Sequence, residues 1–260
     1  MKRYRRRGLI QNRFIALFGL SALLTTISAR DLKATIPYIP GVAESTEKGA
    51  FIDFLKALDE VYTDGVILIE QNSWPRSIAN VVNGTADFHL PMISNPKVLL
   101  DSVGYRFAST PMGVVCIVIY TRIAKPLSKA SIEQATPQHP FPYAIELQGA
   151  LDQFFVFSAQ KNYELIQSFN RLVNGRIDAV IAAQEDGDTL CKQYKFKTIK
   201  RELWDCKDDM VVIRKGVKGD EVDKILSDCM AKLIKNGTLK EIRKRTHVPY
   251  VEWQPYQMGW

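Results

Sequence analysis

The chain has 260 residues, 46% of them hydrophobic, and carries 35 Lys and Arg against 28 Asp and Glu, a formal net charge of +7. That length suits one large domain or two small lobes with an ordinary core, and neither a low-complexity segment nor an internal repeat is visible. The charge would point to nucleic acid, but six basic and no acidic residues fall within the first 29 positions, and from Arg30 onward 29 basic residues face 28 acidic ones; no basic stripe remains to neutralise phosphates, so a nucleic-acid partner is not expected.

Lys2, Arg3, Arg5, Arg6, Arg7 and Arg13 precede an uncharged stretch from Phe14 to Ala29, which closes on the small residues Ser28 and Ala29. Basic, then apolar, then small is the order of a secretory signal peptide. Residues 1–29 are therefore read as a leader cut near Ala29, and the mature chain as a periplasmic protein. An uncleaved anchor is the alternative, although the stretch is shorter than the ~20 apolar residues a bilayer span needs. Arg6-Arg7 also loosely resembles a twin-arginine export signal.

Leu32 to Ile36 alternates like a strand and stops at Pro37. Phe51, Phe54, Leu55 and Leu58 fall at helical spacing. Val66–Ile69 reads as a second strand, Ser77–Val82 as a short helix ended by Asn83-Gly84, and Ala86–Leu90 as a third strand. The order β-α-β-α-β over 32–90 is that of an α/β layer with parallel strands. Val114–Tyr120 is an unbroken apolar strand, and the proline-rich stretch 125–142 reads as a connection with a short helix. Tyr143–Leu147 is a strand running into Gln148-Gly149, Ala150–Ser158 and Tyr163–Val173 read as helices, and Ile177–Ala182 as another buried strand. Met210–Gly216 is a strand and turn. Asp220–Lys235 is a long amphipathic helix with Val222, Ile225, Leu226, Met230 and Leu233 on its apolar face, and Leu239–Arg245 a final short helix.

The four cysteines are Cys116, Cys191, Cys206 and Cys229. Export makes a disulfide possible. Cys191 and Cys206 flank a short polar stretch and are expected to pair, leaving Cys116 and Cys229 as buried thiols. His89, His139 and His247 show no metal spacing, so no metal or other cofactor is expected.

In this order the segments resemble the extracytoplasmic solute-binding proteins of ABC importers, amino-acid type. The resemblance rests on IANVVNGTADFHLPMISNP, on the turn Phe107–Pro111, on the strand into Gln148-Gly149, on Asn174–Ala182, and on VVIRKG followed by a long helix and KNGTLKEIRKR. It implies an α/β fold of the two-lobed periplasmic-binding-protein-like kind (type II) with two hinge strands: lobe one at 31–118 plus 210–260, lobe two at 124–205, and the hinge at 119–123 and 206–209. It further implies a monomer that closes on a small-molecule ligand and docks on an ABC permease.

Ligands of open α/β sheets sit beyond the carboxyl ends of the strands. The candidate binding residues there are Tyr38, Trp74, Arg76, Met92, Ser94, Lys97, Gln148, Gly149 and Gln184. Tyr38 and Trp74 would supply flat walls, Arg76 or Lys97 an anion clamp, and Gly149 a close backbone approach. The family places a carboxylate for the ligand's ammonium at the position of Ala183, and hydroxyl residues at Ala150 and Leu151. These departures argue for a small polar or anionic ligand rather than a standard amino acid. No catalytic residue is expected. Two other readings are a ligand sensor without transport and a dehydratase-like enzyme on the same fold, for which Glu146, Glu185 and Asp186 are the available acids. Tyr250, Trp253, Tyr256 and Trp260 read as an aromatic strap packed on a lobe.

Overall fold

The computed structural model describes residues 30–39, 41–95, 103–134, 142–155, 157–162 and 164–259; the expected leader, His139, Lys97 and Trp260 lie outside them. Among the described residues nine strands form one mixed sheet: β1 (Leu32–Pro37), β2 (Ile67–Asn72), β3 (Phe88–Ile93), β4 (Tyr105–Phe107), β5 (Gly113–Arg122), β6 (Ile145–Gln148), β7 (Gln160–Asn162), β8 (Ala179–Ala183) and β9 (Ile199–Arg214). The order is β2-β1-β3-β9-β5-β8-β6-β7, with β4 on β9. β1, β2 and β3 are parallel, as are β6, β7 and β8. β9 runs antiparallel to both β3 and β5, and β5 antiparallel to β8. The sheet is thus two parallel halves of opposite polarity joined through the β5–β9 ribbon.

Among the described residues seven α-helices cover it: α1 (Ala50–Val61), α2 (Trp74–Asn83), α3 (Lys129–Glu133), α4 (Leu165–Val173), α5 (Gln184–Gln193), α6 (Val217–Lys235) and α7 (Thr238–Thr246). Local chemistry explains several ends. Pro75 occupies the first turn of α2, where a missing N–H costs nothing, and Gly84 ends that helix in the left-handed conformation at φ 75°. α1, α6 and α7 bury one apolar stripe each against β1, β3 and the end of β9, in a core that includes Phe51, Phe54, Leu226 and Leu239. The other half has its own cores, one around Ile117, Ile145 and Ile181 and one around Val118, Phe169 and Ile199. Two separate sets of apolar contacts on either side of a two-stranded ribbon are what make the halves lobes.

Four segments depart from the expectations. Residues 150–158 do not make an α-helix: a 3-10 turn over Gly149–Phe154 is followed by β7. The polar run 184–193 is helix α5, and β9 begins eleven residues before Met210. The C-terminal tail, placed with lobe one, instead packs Tyr250 and Trp253 against the second-lobe core around Val118 and Phe169.

The expected Cys191–Cys206 disulfide is corrected. Cys206 is bonded to Cys116, its register partner on β5, across a Cα–Cα distance of 4.0 Å. Cys191 is buried on α5 and Cys229 on α6, both as free thiols. Linear spacing favoured the nearer cysteine, but sheet register places the one 90 residues away directly opposite. Burial pushes both free thiols up from their ordinary range, so they are poor nucleophiles.

Candidate functional site

Because the two halves have opposite polarity, the carboxyl ends of β1 and β3 and those of β6 and β8 approach the ribbon from opposite sides. The register gives the scale. Ile93, at the end of β3, pairs with Asp209, which pairs with Gly113; Ala183, at the end of β8, pairs with Ile117. Four residues of β5 separate the two levels, roughly 13 Å at about 3.3 Å per residue. The ribbon itself is irregular at this place. β9 carries an extra residue, Trp204, where the register shifts between Ile117 and Val118, and the disulfide closes the ribbon one pair earlier. A bulge bends and twists its strand locally. Trp204 stacks edge-on against Phe155 at 5.2 Å, and Lys129 Nζ lies 5.4 Å over its ring.

On the first-lobe side, Tyr38 is 61% exposed just past β1. Trp74 is half-buried and meets the edge of His89 at 5.6 Å. His89 is fully buried, and that burial lowers its pKa to about 4, so it is a neutral packing residue. Arg76 is exposed at the start of α2 and has no ion pair among the described residues. Ser94 is half-buried, with its N–H donated to Asp208 O at 2.8 Å. Met92 is withdrawn into a small core with Val81, Ala86 and Val212.

On the second-lobe side, Gln148 is committed to its own lobe: its Oε1 accepts from Ala183 N at 2.9 Å and its Nε2 donates to Asp186 Oδ2 at 2.5 Å. Gly149 is buried and opens the 3-10 turn. Gln184 is 4% exposed; its Nε2 faces the Val248 and Pro249 carbonyls at 3.4 Å, and its Oε1 is buried with no donor among the described residues. Gly187, one turn on, is required by close approach, since a Cβ there would come within 2.4 Å of the Tyr120 ring.

Two acids in this wall, Glu185 and Asp186, are among the candidate enzyme groups named from sequence. Burial holds Asp186 above the usual carboxylate range despite its bond to Gln148. Glu185 accepts from Val248 N at 3.1 Å, and its pKa is raised to about 7, chiefly by burial, with the negative charges of Asp186 and Asp209 adding to it. Glu146, the third acid, is taken up by structure: Arg171, Ser168 and Asn162 all bond its carboxylate, and the lowered pKa follows from those bonds outweighing its burial.

The Glu185 shift has a measurable consequence. A carboxyl with a folded pKa of about 7 against 4.5 ordinarily gives its stabilisation in full below about pH 4.5 and loses it as pH rises through about 7. Glu185→Gln keeps an acceptor for Val248 and removes the titration. Urea denaturation at pH 5 and pH 8 is expected to show the parent losing stability relative to this variant as pH rises; a constant difference would contradict the assignment.

Among the described residues no three His, Cys, Asp or Glu side chains converge as a metal site. No family model and no curated protein sequence matches the chain. Solved structures do match. One is a histidine kinase sensor domain with similarity to periplasmic binding proteins, 15% identical over 85% of this chain and 97% of that one, with a TM-score of 0.65. Another is an ancestral amino-acid-binding protein, a precursor of cyclohexadienyl dehydratase, 17% identical over 83% and 94% at 0.59. A third is the GluR0 ligand-binding core from Nostoc punctiforme in complex with L-glutamate, 14% identical over 84% and 100% at 0.61. The chain has the two-lobed α/β fold of periplasmic binding proteins.

Proposed function

We propose that this protein is an exported solute-binding protein that captures a small polar ligand between its lobes and delivers it to an ABC permease. The observation that carries the reading is the convergence of the two sets of strand ends on one ribbon from opposite sides. Lobe one would comprise 31–112 with 210–247, lobe two 117–205 with the tail from Val248, and the hinge the paired ribbon segments 113–116 and 206–209, since Ile117 and Val118 pack in the second-lobe cores. A persistent Cys116–Cys206 disulfide fits an oxidising compartment.

The charges narrow the ligand. The first-lobe wall offers the guanidinium of Arg76, which has no ion pair among the described residues and is a planar donor suited to a carboxylate. The second-lobe wall offers acceptors: Glu185, Asp186 and Gln184 Oε1. Asp186 stands one hydrogen-bonded residue from Ala183 through Gln148, so the carboxylate that the sequence lacks at position 183 has a nearby substitute. The walls therefore favour a ligand with an anionic end toward Arg76 and hydrogen-bond donors toward lobe two, over a simple organic acid. The likeness to a sensor domain supports a second reading, in which the same capture is coupled to signalling rather than import.

Calorimetry against the twenty amino acids, their N-acylated forms and simple organic acids tests this. Binding is expected only for ligands carrying both features. Arg76→Ala is expected to weaken it by about tenfold or more, from a charged hydrogen bond worth about 1.5–3 kcal/mol. Equal affinity for acids without a donor, or an Arg76→Ala variant that binds like the parent, would refute the site.

A further inference from the structure

We propose that the C-terminal segment His247–Gln254 is a third tie between the lobes, one that holds the second-lobe wall of the ligand site and gives way at Val248–Pro249 when the lobes part. Only the word "ligand" here rests on the function proposed above; the tie itself is independent of it.

The segment leaves α7, which packs on α1 and α6 in the first-lobe core. Its first residue is fixed at the base of the ribbon. His247 Nε2 lies 3.0 Å from Asp209 Oδ2, its Nδ1 2.7 Å from Thr246 Oγ1, and its ring meets Phe51 edge-on at 5.8 Å. Gly113 makes room for it: a Cβ there would fall 2.3 Å from the imidazole. The far end is fixed on the other lobe. Val251 O and Trp253 O accept from Arg201 Nη1 at 2.8 and 3.3 Å, and Gln254 exchanges two hydrogen bonds with the Arg201 backbone at 2.9 and 2.8 Å. The Tyr250 and Trp253 rings lie 4.6 and 4.9 Å from the guanidinium carbon, and Lys192 Nζ lies 5.0 Å over Trp253. From Asp209 to Arg201 the tail thus parallels eight residues of β9, roughly 26 Å.

Between these two anchors the tail touches the wall of the site. Val248 donates to Glu185, while Gln184 reaches the Val248 and Pro249 carbonyls only at 3.4 Å. Among the described residues the middle is therefore held by three hydrogen bonds, two of them long, at Val248, a residue that is 39% exposed. The anchors are buried and multiply bonded. Opening of the lobes lengthens the path between the anchors, and strain falls on the weakest contacts. Those contacts hold Gln184 and Glu185, so the state of the tail sets the shape of the second-lobe wall. Hinge closure needs only a few residues to absorb the change in backbone angles; the tail adds a restraint that β5 and β9 alone would lack.

Two variants loosen the tie without touching Arg201. Glu185→Leu removes the acceptor for Val248, and insertion of two glycines after Pro249 adds slack. Both are measured without ligand, by amide hydrogen exchange and small-angle scattering, with circular dichroism confirming folding. The expected result is exchange at Val248 at least tenfold faster and a larger radius of gyration in both variants. Glu185→Gln, which retains an acceptor, should restore parent-like exchange. Folded Glu185→Leu and insertion variants whose Val248 exchange stays within twofold of the parent, with unchanged scattering, would overturn the proposal. Because no ligand enters the measurement, a failed ligand panel leaves this result standing, and the reverse also holds.

Discussion

Replacing Arg201 with methionine is expected to destabilise the protein by about 3–5 kcal/mol, the cost of breaking a buried ion pair from one side. The Arg201 side chain is 0% exposed and bonds Asp188 Oδ1 at 2.9 Å, an oxygen that also accepts from the Tyr120 hydroxyl at 2.8 Å. Burial already raises the Asp188 carboxyl above its usual range, with the guanidinium the main opposing influence. Without it, Asp188 is left buried with neutral donors only, the Tyr120 hydroxyl and the Trp253 side chain, and the Val251 and Trp253 carbonyls lose their donor. For a chain of this size each kcal/mol is about 2–4 °C in Tm, so a fall of roughly 10 °C is expected by calorimetry. The double variant Arg201→Met with Asp188→Asn should recover part of the loss, because it removes the orphaned charge. A loss below about 1 kcal/mol for the single variant, or no recovery in the double, would show that the pair is not the anchor described.

The second large effect belongs to the disulfide. Cys116→Ala with Cys206→Ala is expected to cost about 2–5 kcal/mol, since the bond closes a loop of 90 residues in the unfolded chain. The folded ribbon remains paired by its backbone, so the loss should appear in urea denaturation with little change in circular dichroism. Unreduced, denatured parent should titrate two thiols, Cys191 and Cys229, and peptide mapping should recover the Cys116 and Cys206 peptides joined. Four free thiols, or a joined pair containing Cys191, would contradict the register of β5 and β9.

Where local periodicity carries the information, the sequence and the fold agree. β1, β2 and β3 with α1 and α2 follow directly from alternation and i, i+3, i+4 spacing, and the stripe Val222, Leu226, Met230, Leu233 on α6 is buried as its spacing predicts. The resemblance to solute-binding proteins was legible for the same reason, as an ordered series of strand, turn and helix segments. α5 was not legible, because QEDGDTLCKQ has no apolar stripe; its buried face is Gln184, Gly187, Asp188 and Cys191. Those residues are accepted there because Tyr120 and Arg201 pair with Asp188 and because Gly187 lets the Tyr120 ring approach. The first part of β9 reads as polar for a similar reason: IKRELWDCKDD gains its partners from β5 and from the tail, not from its own side-chain pattern.

The sequence by itself determined the α/β class, the two parallel blocks and the apolar faces that build each core, since these depend on residues close together along the chain. It also located the carboxyl ends of those strands. Tertiary structure alone decided that Cys206 faces Cys116, that Arg201 reaches Asp188 and the tail, and that Gln184 and Glu185 are held by Val248. Each of these pairs polar groups far apart in sequence, and such pairing is set by sheet register and chain crossing. Hydrogen bonds and charges are favourable inside a protein only when a partner is brought to them at short range, and a pattern of residue types records the need for a partner without recording which one arrives.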